Sequence, residues 1–235
     1  MKIKKITAAR LGRLLLAIVR GVIVIGICFV ILYPIYLKLS VSFMDERDLY
    51  DATVKCVPKH FTLDNYRHVI DGLDYWKSMF NTALLSAGVS ALQLLACMLT
   101  AYSFARFRFP GKNILFGAVI FTLIVPPQIV MLPMFMHFRF FNLFGKTVNL
   151  IETPWPMLIQ AITCMGFKNG LYIYMLRQFF KGLPKELEEA AFVDGCGKLR
   201  TFLQIMMPSS IPMMVTVFLF GFVWQWTDSF YTGLY

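Results

Sequence analysis

Charge is what this 235-residue chain has least of: 15% of its residues are Asp, Glu, Lys or Arg, against 58% hydrophobic. A soluble domain cannot cover its surface with so few ionic groups, and a disordered chain carries many more, so both classes are excluded. Cysteine is sparse and scattered. Cys28, Cys97 and Cys164 fall in apolar stretches, Cys196 in a basic segment and Cys56 in a polar loop, with no CxxC among them. That spacing argues against a disulfide framework and a zinc site. His60, His68 and His137 share no ligand spacing, so no metal is expected. Neither HExxH nor a Ser/His pair lies in an apolar stretch, and an enzyme working inside a membrane needs such convergent polar groups. No internal repeat or low-complexity run is present.

What is there is apolar length. Five stretches can cross about 30 Å of hydrocarbon as helices: Gly21–Leu39, Phe80–Phe104, Ile114–Met136, Met157–Leu176 and Ile205–Trp226. The fold class expected is an all-α membrane protein, a polytopic helical bundle. The first stretch follows Lys2, Lys4, Lys5, Arg10 and Arg13, as a signal peptide would. Its exit, Leu37 to Ser42, lacks a small-residue cleavage site, so an uncleaved anchor is expected. With residues 1–20 cytoplasmic, the inner segments hold fourteen Lys and Arg and the outer ones seven, five of those in one long loop. The excess of basic residues therefore places the N-terminus inside. Trp76, Trp155, Trp224 and Trp226 then all fall at the outer interface. The outer loop of residues 40–79 carries seven acidic residues and reads as a solvated connection.

The inner loop, residues 177–204, carries the most information. Pro184 suits the first position of a helix, and Glu186 and Glu188 in its first turn favour the helix dipole. Leu183, Leu187, Ala190, Ala191 and Asp194 recur along one stripe, and Gly195 suits the left-handed residue that ends a helix. A second helical piece, Lys198 to Met206, enters the membrane at Pro208. On these grounds alone, a partner-binding helix and an amphipathic helix on the bilayer surface are equally good readings.

The order Glu189-Ala190-Ala191, two residues, Asp194-Gly195, nine residues, Ile205, two residues, Pro208 resembles the EAA loop of binding-protein-dependent ABC importer permeases. Met207 departs from the leucine usual there. Pro34 to Ser42, Asn81-Thr82, Tyr102 to Lys112, Pro126-Pro127-Gln128 and Arg177 to Phe180 resemble the carbohydrate-uptake, maltose-type branch. The resemblance implies that the loop is a coupling helix docking on a cytoplasmic ABC ATPase dimer. Glu189 would then be the polar anchor, Ala190 and Ala191 the close-packing surface and Gly195 the turn. Asp194, Ile205 and Pro208 complete the motif. It also implies a second permease subunit, an extracytoplasmic solute-binding protein and a bacterial plasma-membrane location. Family members have a sixth span after Trp224 to Asp228, so five spans of six are present and truncation is the expectation.

Weaker signals remain. Phe144-Gly145-Lys146-Thr147 has the tail of a phosphate-binding loop, but Phe140 stands where a glycine is required and no strand is expected before it. No nucleotide motif is left, so ATP would be bound by a partner subunit, with no cofactor on this chain. Lys168 falls near the middle of the fourth span beside Gly166, Asn169 and Gly170. A charge there is expected to face a cavity, the alternative being that this Gly-rich segment is an irregular or shifted helix and Lys168 reaches the interface. Gln128, Gln160, Lys168, Asn169 and Tyr172 are the candidate translocation path. Pro126, Pro127 and Pro133 mark a hinge or a static kink in the third span. Ala83, Ala87 and Ala91 form a small-residue face for close helix packing. The reading is a permease subunit of an ATP-driven importer for a sugar or oligosaccharide, not an enzyme, working by alternating access. The alternatives are a non-sugar solute and a non-transporting scaffold or sensor.

Overall fold

The computed structural model describes the backbone of residues 2–235 and the side chains of residues 13–142 and 144–235. The basic side chains Lys2, Lys4, Lys5 and Arg10, used above for orientation, lie outside the described residues. Two compact units divide the chain, Met1–Ser78 and Met79–Tyr235.

The first unit begins with α1, Lys2–Ser42. Its apolar part, Arg13–Ser42, is 30 residues long, about 45 Å of helix, enough to cross a bilayer with tilt. The following loop is folded rather than a bare solvated connection, because its acidic residues serve as caps and acceptors. Asp45 caps α2 (Glu46–Tyr50) by accepting the Arg47 N–H at 3.0 Å. Asp48, 2% exposed, accepts the backbone N–H groups of Lys59 and His60, both at 2.7 Å, and lies 2.8 Å from His60 Nδ1. Those hydrogen bonds hold the Asp48 carboxyl below its ordinary pKa. The Asn65 amide, on α3 (Asp64–Gly72), closes the loop onto the carbonyls of Ser42 and Met44.

In the second unit, α4 (Tyr75–Arg106) is one unbroken helix of 32 residues, but the next three apolar stretches are each divided. The 114–136 stretch becomes α5 (Lys112–Phe121) and α6 (Pro127–Arg139). Pro126 and Pro127 have no N–H to continue a helix, and Pro127 is favourable at the start of a new one. The 157–176 stretch becomes α7 (Trp155–Ile162) and α8 (Asn169–Gly182), separated by left-handed residues at Cys164 and Lys168. Lys168 is therefore not mid-helix but the cap of α8, at φ +66°.

Between α6 and α7, β1 (Phe141–Leu143) and β2 (Lys146–Val148) pair antiparallel. A strand does precede the Gly-Lys-Thr run, contrary to expectation. Yet Phe144 and Gly145 both have positive φ, which makes the run a two-residue hairpin turn, braced by Gly145 N–H on Asn142 Oδ1. No helix follows to complete a phosphate loop, so its rejection stands on geometry as well.

Beyond α8 come α9 (Glu186–Val193) and α10 (Lys198–Thr201), then a π-helical turn, Phe202–Met206, and α11 (Met207–Ser209). Pro208 has no N–H to return to the Gln204 carbonyl, and the Met207 N–H reaches back five residues to Phe202 O instead. The 205–226 stretch is bent by 79° between Ser209 and α12 (Ile211–Thr227).

Cys97, Met98, Ala101 and Tyr102 of α4 meet Tyr172, Leu176 and Phe180 of α8, with Phe202, Met206 and Val217 closing the core. In hydrocarbon such helices associate by close packing and hydrogen bonds rather than by escape from water. Two glycines make this packing possible. A Cβ on Gly170 would lie 2.5 Å from Thr122 Oγ1 and 2.8 Å from the Val119 carbonyl, so α8 meets the end of α5 nearly backbone to backbone. One on Gly221 would lie 3.3 Å from both Ser90 Oγ and Gln93 Oε1. The close face of α4 is thus Ser86, Ser90 and Gln93, while Ala91 of the alanine stripe is exposed.

Candidate coupling site

The short helix α9 is defined at both ends. Lys185 is its N-cap, so Pro184 lies just before the helix rather than at its first position. Glu186, Glu188 and Glu189 all fall in the first turn, where their charge meets the helix dipole. At the other end Gly195, at φ +81°, donates its N–H to Phe192 O at 3.1 Å, and Cys196 donates to Ala191 O at 2.9 Å. Those two bonds form a Schellman cap, and the left-handed residue it needs is the glycine of the motif.

The stripe of Leu187, Ala190 and Ala191 does not face one way. Glu188 and Ala191 are buried, whereas Leu187 and Ala190 are exposed. A carboxylate is buried in place of Leu187 because partners wait for it on α4. Glu188 Oε2 lies 3.1 Å from Arg106 Nε, and Glu188 Oε1 accepts the Tyr102 hydroxyl at 2.7 Å. Arg106 also donates through Nη2 to the Leu183 carbonyl at 2.8 Å, fixing the approach to α9. The Arg106 and Glu188 side chains are 8% and 10% exposed, which shields the pair from solvent. The Tyr102 ring in turn packs against Phe180 of α8 and Phe202 of the π-helical turn, 5.6 and 4.8 Å between centroids. One triad thus fastens α9 to α4, while the Tyr102 ring joins α8 and the entry to α12.

The remaining motif residues separate into two groups. Glu189, Ala190, Asp194 and Gly195 are exposed and free to meet a partner. Ala191, 3% exposed, is packed against its own bundle and cannot serve as an outward surface. Ile205 is half-buried in the π-helical turn, and exposed Pro208 sits in α11. Sequence reasoning missed Glu188, Arg106 and Tyr102. It also missed Phe192 and Val193, the latter 86% exposed, which give the outer face an apolar edge beside Glu189.

The candidate path residues also divide. Gln160 and Tyr172 line a cavity of about 40 Å³ with Gln93, Phe167, Trp224 and Gln225. That is room for a few waters and too little for a sugar ring. Asn169 stands behind it, its Oδ1 accepting from Gln93 Nε2, which also donates to Phe167 O at 2.8 Å. The Asn169 Nδ2 and the Tyr172 hydroxyl are buried without hydrogen-bond partners among the described residues. Lys168 is not a lining residue. Its ammonium lies over the Phe167 and Trp224 rings, 4.8 and 5.0 Å from their centroids. Gln128 is exposed on α6 and takes no part. No cluster of metal-ligating side chains occurs among the described residues.

Comparison with known proteins extends this geometry. Residues 93–234 match the family described as binding-protein-dependent transport system inner membrane component. The chain is 32% identical over 183 residues to the alpha-glucoside transport system permease protein AglG of Rhizobium meliloti, covering 78% of this chain and 46% of that one. It is 30% identical over 210 residues to protein LplC of Bacillus subtilis, covering 89% and 66%. The sn-glycerol-3-phosphate transport system permease protein UgpE of Escherichia coli is 26% identical over 213 residues, covering 88% and 71%. The chain thus spans about half to two-thirds of the length of the first two relatives. A solved bacterial ABC transporter involved in the import of the acidic polysaccharide alginate shares its fold, with TM-score 0.76 and 22% identity over 92% of this chain and 72% of that one. The match through α4, α9 and α12, on this mostly helical permease fold, makes the chain a multi-pass membrane protein belonging to the family of binding-protein-dependent transport system inner membrane components.

Proposed function

We propose that the chain is a permease subunit of an ATP-driven importer for a hydroxyl-rich, carbohydrate-class solute. The observation that carries this reading is the double character of α9: bolted inward through Glu188, outward-facing at Glu189, Ala190, Phe192 and Val193. A helix that is free on one side and rigidly tied on the other passes on a push instead of absorbing it. The push would come from a separate ATPase pair whose closure on ATP moves α9 and reorients the spans. A second permease would complete the pathway, and an extracytoplasmic binding protein would deliver the solute. The chain itself would hold no nucleotide and catalyse no covalent step.

The solute class is supported by the relatives, which are named for transport of an alpha-glucoside, of sn-glycerol-3-phosphate and of the acidic polysaccharide alginate. Buried amide and phenol groups at Gln93, Gln160, Asn169 and Tyr172 suit hydroxyl partners, and Phe167 and Trp224 offer rings for sugar faces. On this reading the small cavity is the resting form of the path and widens in transport. The N-terminus would be cytoplasmic in a bacterial plasma membrane, as the distribution of Lys and Arg favours.

The test is ATP hydrolysis by the purified complex in proteoliposomes, with and without solute-loaded binding protein. Stimulation that disappears in Glu189→Lys, with the complex still assembled, supports coupling through α9. Unchanged stimulation and solute uptake in that variant would defeat the assignment.

A further inference from the structure

Where α4 ends and α5 begins, the chain turns through Phe107 to Gly111 and leaves a groove of about 420 Å³ lined by Arg108, Phe109, Gly111, Lys112, Asn113 and Ile114. The groove is strongly cationic. Lys112 Nζ donates to the Phe107 carbonyl at 2.7 Å, and Lys198 Nζ lies 5.2 Å from the Phe107 ring centroid on the same turn. Arg177 stacks on Phe116 of α5, 3.8 Å from its centroid, with its Nε on the Phe104 carbonyl. Among the described residues none of Arg108, Lys112, Arg177 or Lys198 forms an ion pair with a carboxylate. Desolvation, and after it repulsion from Arg177, Lys181 and Arg108, lowers the Lys112 pKa. An uncompensated group of cations costs free energy until an anion joins it.

The surroundings indicate which anion. Past Lys112 the helix runs Ile114-Leu115-Phe116-Gly117-Ala118-Val119-Ile120-Phe121 without a polar side chain. Ile114 is 80% exposed and Leu115 and Phe121 are also exposed, so this face is built for hydrocarbon. A cationic groove with an apolar wall, at the first turn of an apolar helix, sits at headgroup depth.

We propose that this groove binds the phosphate of an anionic phospholipid, held by Arg108 and Lys112, with the acyl chains running along Ile114. Arginine supplies a fork for two phosphate oxygens and lysine a point charge. The site is separate from the exposed face of α9 and does not depend on the transport reading.

The test is lipid retention. The complete complex is reconstituted in vesicles of equal phosphatidylglycerol and phosphatidylcholine, extracted in mild detergent, and its bound lipids are counted by native mass spectrometry. Wild type retains phosphatidylglycerol preferentially. In Arg108→Gln/Lys112→Gln that preference falls by about fivefold for each charge removed. Arg108→Lys/Lys112→Arg, which keeps both charges, retains most of it and guards against a folding artefact. Equal retention of the two lipids by wild type overturns the proposal, as does an unchanged preference in the glutamine double variant. Displacement of the lipid by millimolar inorganic phosphate would assign the groove to a soluble anion instead. Loss of a partner subunit from the glutamine variant, with lipid counts unchanged, would assign the cations to protein docking.

Discussion

Replacing Glu188 by alanine removes the one carboxylate that faces Arg106, and the cost can be worked from the geometry. Arg106 is 8% exposed and keeps, among the described residues, the Leu183 carbonyl as its hydrogen-bond acceptor. Tyr102 loses the acceptor of its 2.7 Å hydrogen bond. Removing one partner of a buried ion pair costs about 3–5 kcal/mol, since the other charge is left uncompensated. The residual exposure of the pair lets solvent screen part of the uncompensated charge, so the lower part of that range, about 3 kcal/mol, is the working figure. Because α9 meets α4 through this triad, the loss should appear first as undocking of α9, shifting that equilibrium by about two powers of ten. Hydrogen exchange of residues 183–196 in the assembled complex reads the shift directly, and transport per ATP hydrolysed reads its consequence. The companion variant Arg106→Met/Glu188→Leu replaces both charges with apolar groups of similar volume. It should recover most of the protection, since an apolar pair is often as stable as the ion pair it replaces. If the single and double variants are equally damaged, or Glu188→Ala leaves exchange unchanged, the triad is not what holds α9.

Three further outcomes follow from the structure. Gly195→Ala should cost about 1–2 kcal/mol, because only glycine takes φ +81° freely, and limited proteolysis should show faster cutting near residue 195. Gly170→Ala places a methyl 2.5 Å from Thr122 Oγ1 and 2.8 Å from a carbonyl, so thermal unfolding in detergent should reveal a loss of about 1–3 kcal/mol. Gly221→Ala, with contacts no closer than 3.3 Å to side chains, should be milder. In the outer loop the folded Asp48 has its pKa lowered, so its contribution to stability is present above about pH 4 and is lost as pH falls through the folded value. Hydrogen exchange of residues 43–65 should therefore accelerate in acid, and Asp48→Asn should be loosened already at neutral pH with that acid step removed.

Much of the site was legible because it is written in short-range chemistry. The stop at Gly195 follows from the demand for a left-handed residue, and the acidic first turn of α9 follows from the helix dipole. The inward face of α9 was not legible, since hydrophobic periodicity ranks Leu187 above Glu188. Only the distant Arg106 and Tyr102, more than 80 residues away in the chain, reverse that order. Apolar length likewise signalled membrane helices but not their interruptions. Pro126 and Pro127 announce a break outright, whereas the turn at Cys164 and Lys168 holds no proline, only Gly166 and Gly170 as weaker signals, and is braced by the hydrogen bonds of Gln93 to Phe167 and Asn169. The fold of the outer loop was illegible for the opposite reason. Acidic residues look like solvated surface until backbone N–H groups are found pointing at them, as at Asp48.

The π-helical turn at Phe202–Met206 also constrains how this chain can vary in length. One residue more than an α-helical turn is stored there, between the motif glycine and the proline that follows it. Deleting that one residue would restore ordinary winding with both flanks still in phase, whereas losing a second would rotate everything upstream by about 100° about the helix axis. After that second loss Glu188 would face away from Arg106, and Phe202 away from Tyr102. Lengthening the loop at Cys196-Gly197, outside any helix, would leave that phase untouched. Homologous chains should therefore tolerate insertions on one side of α10 and, on the other, differ by no more than the one stored residue, a register imposed by winding rather than by contact.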